Sequence, residues 1–146
     1  MDDINHSPRW IALDGAVNAR AVVPGVLLRT DNLQSLSERD IRVLVEEHAL
    51  ETIIDLRTDV EVEGAGPGPM NAEPRVRIEL RSLYPDSGGI VRSNAETVKP
   101  WEAHHEGESP DESPVVRAYM SYLRLRPDSI VGSMRTIANA DGAVLV

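Results

Sequence analysis

Two short stretches of the chain end an apolar run on charged residues: LLRTDN, Leu27 to Asn32, and IIDLRT, Ile53 to Thr58. A guanidinium offers a planar fork of donors that matches a carboxylate or a phosphate. In α/β proteins, residues at the carboxyl ends of parallel strands face the crevice where ligands bind. Arg29 and Asp31 from one strand end, and Asp55 and Arg57 from the other, are therefore candidates to line a single crevice. The same pairs also suit an ion-pair network that only fixes loops, and the pattern leaves both readings open.

The other reactive residue types offer less. His104 and His105 sit among Glu102, Glu106 and Glu108, but adjacent histidines in an acidic, Gly- and Ser-containing stretch lack the helical or hairpin spacing that orients metal ligands. A solvated acidic loop is the expected reading, with no metal and no organic cofactor. His48 falls at the end of a helical pattern, where a favourable dipole contact accounts for it. The chain has no cysteine, which excludes disulfides, thiolate metal sites and thiol catalysis within these residues.

The formal net charge of −9 argues against a general nucleic-acid binder, which needs a basic footprint on phosphates. No apolar run approaches the ~20 residues that cross a bilayer, so membrane insertion is not expected. The N-terminal MDDINHSPRW has neither a basic start nor an apolar stretch, and a cytoplasmic location is the default expectation. A length of 146 residues suits one domain.

Several elements must position these residues. Residues 10–29 break into short apolar runs around Gly15, Pro24 and Gly25, which predicts short strands, of which Val26 to Arg29 is the clearest. Ser37-Glu-Arg-Asp40 is a variant capping box and predicts a helix start, with Ile41, Leu44, Val45 and His48 on one face. Thr52 to Arg57 reads as a buried strand that emerges at its polar end, and strand, helix, strand suggests a parallel crossover. Gly64 to Pro74 reads as loop, and Val76 to Leu80 as a further strand.

Residues 84–113 are polar and acidic, without periodicity. A connection of that length is either a functional segment such as a lid or a solvated loop. From Pro114, Val115, Val116, Tyr119, Met120 and Leu123 mark an amphipathic helix. A second helix from about Asp128 to Ala140 is expected to turn Ile130, Val131, Met134, Ile137 and Ala138 inward. Asp141 and Gly142 close it, and AVLV begins another strand.

NARAVVPGVLLRTDNLQSLSERD followed by IIDLRTDVEVEGAGPGP resembles the N-terminal half of bacterial protein tyrosine phosphatases that carry an Asn-x-Arg motif, an Arg-Ser/Thr-x-x-Leu segment and an Asp-Leu-Arg strand. The likeness extends through RAYMSYLRLRPDSIVGSMRTIANADGAVLV, so it covers most of the chain. It implies an α/β fold: a phosphatase-like parallel or mixed sheet flanked by helices, one domain over residues 1–146 that is C-terminally incomplete. In that family the strand similar to GAVLV runs into His-Cys-x-x-Gly-Lys-Asp-Arg-Thr-Gly. That loop wraps phosphate with backbone N–H groups, and its cysteine forms a phosphoenzyme.

The resemblance therefore implies a nucleophile, a phosphate-binding arginine and a general acid that would follow Val146, and no catalytic residue within this chain. Asp55 and Arg57 would be active-site neighbours. Arg20, Arg29 and Asp31 would be candidate substrate-binding residues, with Asn18 holding a loop. The sequence departs from the family pattern after Arg20, where Ala21-Val22-Val23-Pro24 replaces a longer turn, and this bears on Arg20 most directly. The expected substrate is a phosphotyrosine-containing protein or another phosphomonoester. The 146 residues alone are expected to be inactive, and uncovered apolar surface is expected to make them aggregate or dimerise.

Two other readings stay open: a non-catalytic phosphatase-like binding module or gene fragment, and an unrelated small α/β domain. The last would require the strands TIIDLR and GAVLV to lie far apart. The oligomeric state is not fixed by the sequence.

Overall fold

The structure, a computed structural model, describes residues 9–84 and 113–146. Its centre is a six-stranded sheet in the order β1-β2-β3-β6-β4-β5. The strands are β1 (Arg9–Trp10), β2 (Arg20–Val23), β3 (Leu27–Arg29), β4 (Leu50–Asp55), β5 (Arg77–Leu80) and β6 (Ala143–Leu145). Strands β3, β6, β4 and β5 are mutually parallel, and β1 and β2 extend the sheet antiparallel beyond β3. The fold is thus α/β with a mixed sheet.

TIIDLR and GAVLV are immediate neighbours: Ile53 lies opposite Leu145, and Leu28 of β3 flanks Leu145 on the other side. The unrelated-domain reading is removed by this pairing. Ala143, Val144 and Leu145 are all buried, as a central parallel strand covered on both faces requires. β3 and β4 are parallel, as strand–helix–strand suggested, but β6 is inserted between them.

Helix α1 (Glu38–Arg42) starts where the capping box places it. Ser37 Oγ accepts from the Asp40 backbone N–H at 3.2 Å, and Asp40 Oδ2 accepts from the Ser37 N–H at 3.0 Å. The helix widens into a π-turn over Val43–Glu47 and ends at His48, whose N–H reaches back to the Val43 carbonyl. Its apolar face packs on the main core, where Leu36 and Leu44 meet Leu28, Ile53 and Leu145, with Ile41, Val43 and Val45 against them.

Alternation along the strands divides the sheet into two faces. Ala21, Leu28, Ile53 and Leu145 belong to that core, whereas Thr52, Ile54 and Val144 are buried on the opposite face. On this second face lie helix α3 (Pro114–Leu125) and helix α4 (Pro127–Asn139), with Thr136 of α4 donating its hydroxyl to Glu79 of β5 at 2.8 Å.

Two expectations need correction. Gly64 to Pro74 is not simply loop: Gly64 and Ala65 end helix α2 (Asp59–Ala65), and Pro69–Ala72 form a 3₁₀ turn that buries Met70 in the core. In α4, Val131, Met134 and Ala138 are exposed, not inward. The buried position is Ser129, and Gly132 and Thr136 contact Arg81 and Glu79. Close approach to a charged strand favours small residues on the inner face, so the apolar stripe does not mark it. The acidic stretch read as lid or loop, and the histidines within it, fall outside the described residues.

Candidate functional site

The carboxyl ends of β3, β6 and β4 open onto a cleft of about 280 Å³ lined by Asp31, Asn32, Leu33, Ile53, Ile54, Asp55, Arg57, Leu145 and Val146. A second hollow of about 200 Å³ shares Leu33, Ile53, Asp55 and Arg57 and continues under the 3₁₀ turn to Met70. The sheet thus brings three of the five candidate residues, Asp31, Asp55 and Arg57, to one crevice.

Asp55 is the last residue of β4, and Arg57 folds back over it. Arg57 Nε donates to Asp55 Oδ1 at 2.9 Å and Nη2 donates to Oδ2 at 2.6 Å, while the Arg57 backbone N–H donates to Oδ1 at 3.1 Å. This is a fork-to-fork pair, the strong geometry for guanidinium and carboxylate. Burial pushes the Asp55 pKa up, but the hydrogen bonds and charge of Arg57 outweigh it and hold the carboxyl below its ordinary value. The arginine is correspondingly held in its charged form, chiefly by its hydrogen bonds to Asp55.

The turn that carries Arg57 is itself fixed. Thr58 caps α2: its hydroxyl oxygen accepts from the Glu61 N–H at 3.2 Å, and Glu61 Oε2 accepts from the Thr58 N–H at 2.8 Å. The signal for this second capping box, Thr-Asp-Val-Glu, is plain in the sequence, but the glycines and prolines after it mask the helix. Beyond α2, Gly68 takes φ of 66° and lies against the Gln34 amide, where a Cβ would come within 2.9 Å. That contact brings the 3₁₀ segment against the loop after β3.

Asp31 serves the wall. Its Oδ1 accepts from the Val17 N–H at 2.9 Å, its own N–H donates to the Val17 carbonyl, and Thr30 Oγ1 donates to that carbonyl at 3.2 Å. These bonds tie the loop before β2 to the end of β3. Asn18 in that loop has φ of 56°, a left-handed conformation that asparagine tolerates better than most residues.

The residue that sequence reasoning missed as a support is Asp40, fully buried behind the same wall. It caps α1, and its two oxygens also accept from the backbone N–H groups of Asp14 at 2.8 Å and Gly15 at 2.9 Å. Burial raises its pKa, yet the N–H groups of Asp14, Ser37 and Gly15 prevail and hold it at about 2. The capping box announced the contact to Ser37; nothing local announced the contacts to residues 25 and 26 positions away.

Arg20 and Arg29 do not line the cleft. They lie opposite each other on β2 and β3, with the Arg20 guanidinium over the Trp10 ring. Among the described residues, no group of three His, Asp or Glu side chains is arranged to hold a metal ion, and no helix is long and apolar enough to cross a membrane.

The crevice thus sets the Asp55–Arg57 ion pair and the Asp31 wall around the carboxyl end of β6. Among known families, the one described as the tyrosine phosphatase family matches residues 13–146. No curated protein and no solved structure gave a match. The match takes in all of the sheet except β1, and the chain belongs to the tyrosine phosphatase family.

Proposed function

We propose that this chain forms the frame of a cysteine-dependent protein tyrosine phosphatase, in which a phosphate loop follows the β6 strand. The observation that carries this reading is the convergence of Asp31, Asp55, Arg57 and Val146 at the carboxyl ends of three adjacent parallel strands. A thiolate at the end of β6 would attack phosphorus, the tyrosine oxygen would leave with a proton from an acid, and water would then release phosphate from the phosphocysteine. Asp55 and Arg57 border that position; Asp55 keeps Arg57 oriented, and Arg57 adds positive potential. Asp31 holds the opposite wall.

None of the 146 residues is a cysteine, so in this reading the nucleophile comes from outside them and they have no turnover by themselves. The test is hydrolysis of a phosphotyrosine peptide by the 146-residue chain, beside the same chain extended after Val146 by a His-Cys-x-x-Gly-Lys-Asp-Arg-Thr-Gly loop. Turnover only in the extended chain supports the mechanism; turnover in the 146 residues overturns it. The lack of cysteine also favours a second reading, a non-catalytic module that binds phosphorylated ligands. Tight phosphopeptide binding by the 146 residues, with no turnover in either chain, selects that one.

A further inference from the structure

We propose that Trp10, Arg20 and Arg29 form an oxyanion-binding strip beside the cleft, which takes acidic side chains of a phosphorylated peptide; the proposal rests on the reading of the cleft as a phosphate site. In the register of β1, β2 and β3, Trp10 lies opposite Arg20 and Arg20 opposite Arg29. Directly opposed residues of antiparallel strands share a face, so the three side chains stand in one row, roughly 10 Å long at a strand spacing of about 4.8 Å.

Like charges in directly opposed positions destabilise a sheet. Here they are not neutralised: among the described residues no carboxylate lies within ion-pair distance of Arg20 or Arg29, a lack they share with Arg9, Arg42 and Arg135, but these two alone face each other across a strand pair. In a chain of net charge −9 this opposition of two unpaired arginines needs a reason, and an anionic ligand supplies it. Arg20 is oriented by a bond from Nη1 to the Asn18 carbonyl at 2.8 Å and by the Trp10 ring 5.7 Å from its guanidinium carbon. Trp10 is 69% exposed, an aromatic platform open to solvent.

The strip meets the cleft. Val146 donates its N–H to the Leu28 carbonyl and accepts from the Thr30 N–H, which sets it beside Arg29, and Val146 also lines the cleft. A row of this length exceeds one phosphate group. An extended peptide repeats its side chains on one side every ~6–7 Å, and so can seat a phosphoryl group in the cleft while its neighbouring acids reach the strip.

The experiment measures fluorescence anisotropy of labelled peptides with the 146-residue chain and its Arg29→Gln variant. The peptides carry phosphotyrosine with Asp/Glu flanks, phosphotyrosine with Asn/Gln flanks, or unmodified tyrosine with Asp/Glu flanks. Arg29→Gln is expected to weaken both acidic peptides about three- to tenfold, an effect that fades as salt rises, and to leave the neutral phosphopeptide unchanged. Because it removes a like-charge contact, its melting temperature should equal or exceed that of the parent. Equal affinity of parent and variant for the acidic peptides overturns the proposal. So does an equal loss for the neutral phosphopeptide, or Arg29-dependent binding to anionic vesicles without peptide discrimination. Failure of the neutral phosphopeptide to bind even the chain extended after Val146 by the phosphate loop counts against the cleft, while the unmodified acidic peptide still decides on the strip.

Discussion

Replacing Asp40 by asparagine removes one charge from a site that no solvent reaches. In the parent, the carboxylate accepts from three backbone N–H groups at 2.8, 2.9 and 3.0 Å, two of them from the loop at Asp14 and Gly15. A pKa lowered from 3.8 to about 2 corresponds to on the order of 2 kcal/mol of stability at neutral pH. Asparagine keeps one acceptor oxygen but turns an amide N–H₂ toward donors, which adds about 1 kcal/mol. The melting temperature at pH 7 should fall by roughly 5–10 °C for a chain of this size.

The pH dependence has a definite sign. The folded-state pKa lies below the unfolded one, so the contribution is present above pH 3.8 and is lost as pH falls toward 2. Thermal unfolding of parent and variant, followed by circular dichroism between pH 7 and pH 2, should show a gap that narrows in that window to the smaller, pH-independent cost of the amide. Other lowered carboxyls act on both proteins alike, so the difference isolates Asp40. A variant as stable as the parent at pH 7, or a gap that does not change with pH, would refute the reasoning.

Arg57→Lys keeps the charge but loses the fork, so the Asp55 carboxyl should titrate at higher pH in carbon-13 NMR, with a stability loss of about 0.5–1 kcal/mol at this partly exposed pair. Gly15→Ala should unfold the protein or lower its stability by about 3 kcal/mol or more in urea titration, because a Cβ would sit 1.8 Å from the Ser35 carbonyl oxygen and neither backbone can yield cheaply. Tyr119, Leu123, Val131 and Met134 are exposed on α3 and α4, and light scattering should show association that rises with concentration and weakens in a Tyr119→Ser, Met134→Gln double variant.

Signals confined to a few residues were legible in the sequence. The Ser37 to Asp40 box, the strand cores Leu27 to Arg29 and Ile53 to Asp55, and the Asp-Gly entry to β6 all depend on local chemistry, and each lies where that chemistry puts it. Three of the five candidate site residues meet in one cleft because carboxyl ends of parallel strands share a rim. What escaped depends on distant partners. The opposition of Arg20 and Arg29 follows from a strand register with a bulge between Ala21 and Val23. The inner face of α4 is set by Arg81 and Glu79, which no helical periodicity in α4 can announce.

The position of β6 also governs when this molecule can become a sheet at all. Its partners lie on either side, Leu28 at one flank and Ile53 at the other, each far behind it in the chain. Until Ala143 to Leu145 leave the ribosome, the β1-β2-β3 ribbon and the β4-β5 pair have no hydrogen bonds joining them, and each offers an open edge. Long-range closure of this kind is expected to slow folding and to leave those edges open to edge-to-edge pairing in the meantime. The strand that ends at the cleft is thus also the keystone of assembly, so no partly made sheet can present a finished cleft.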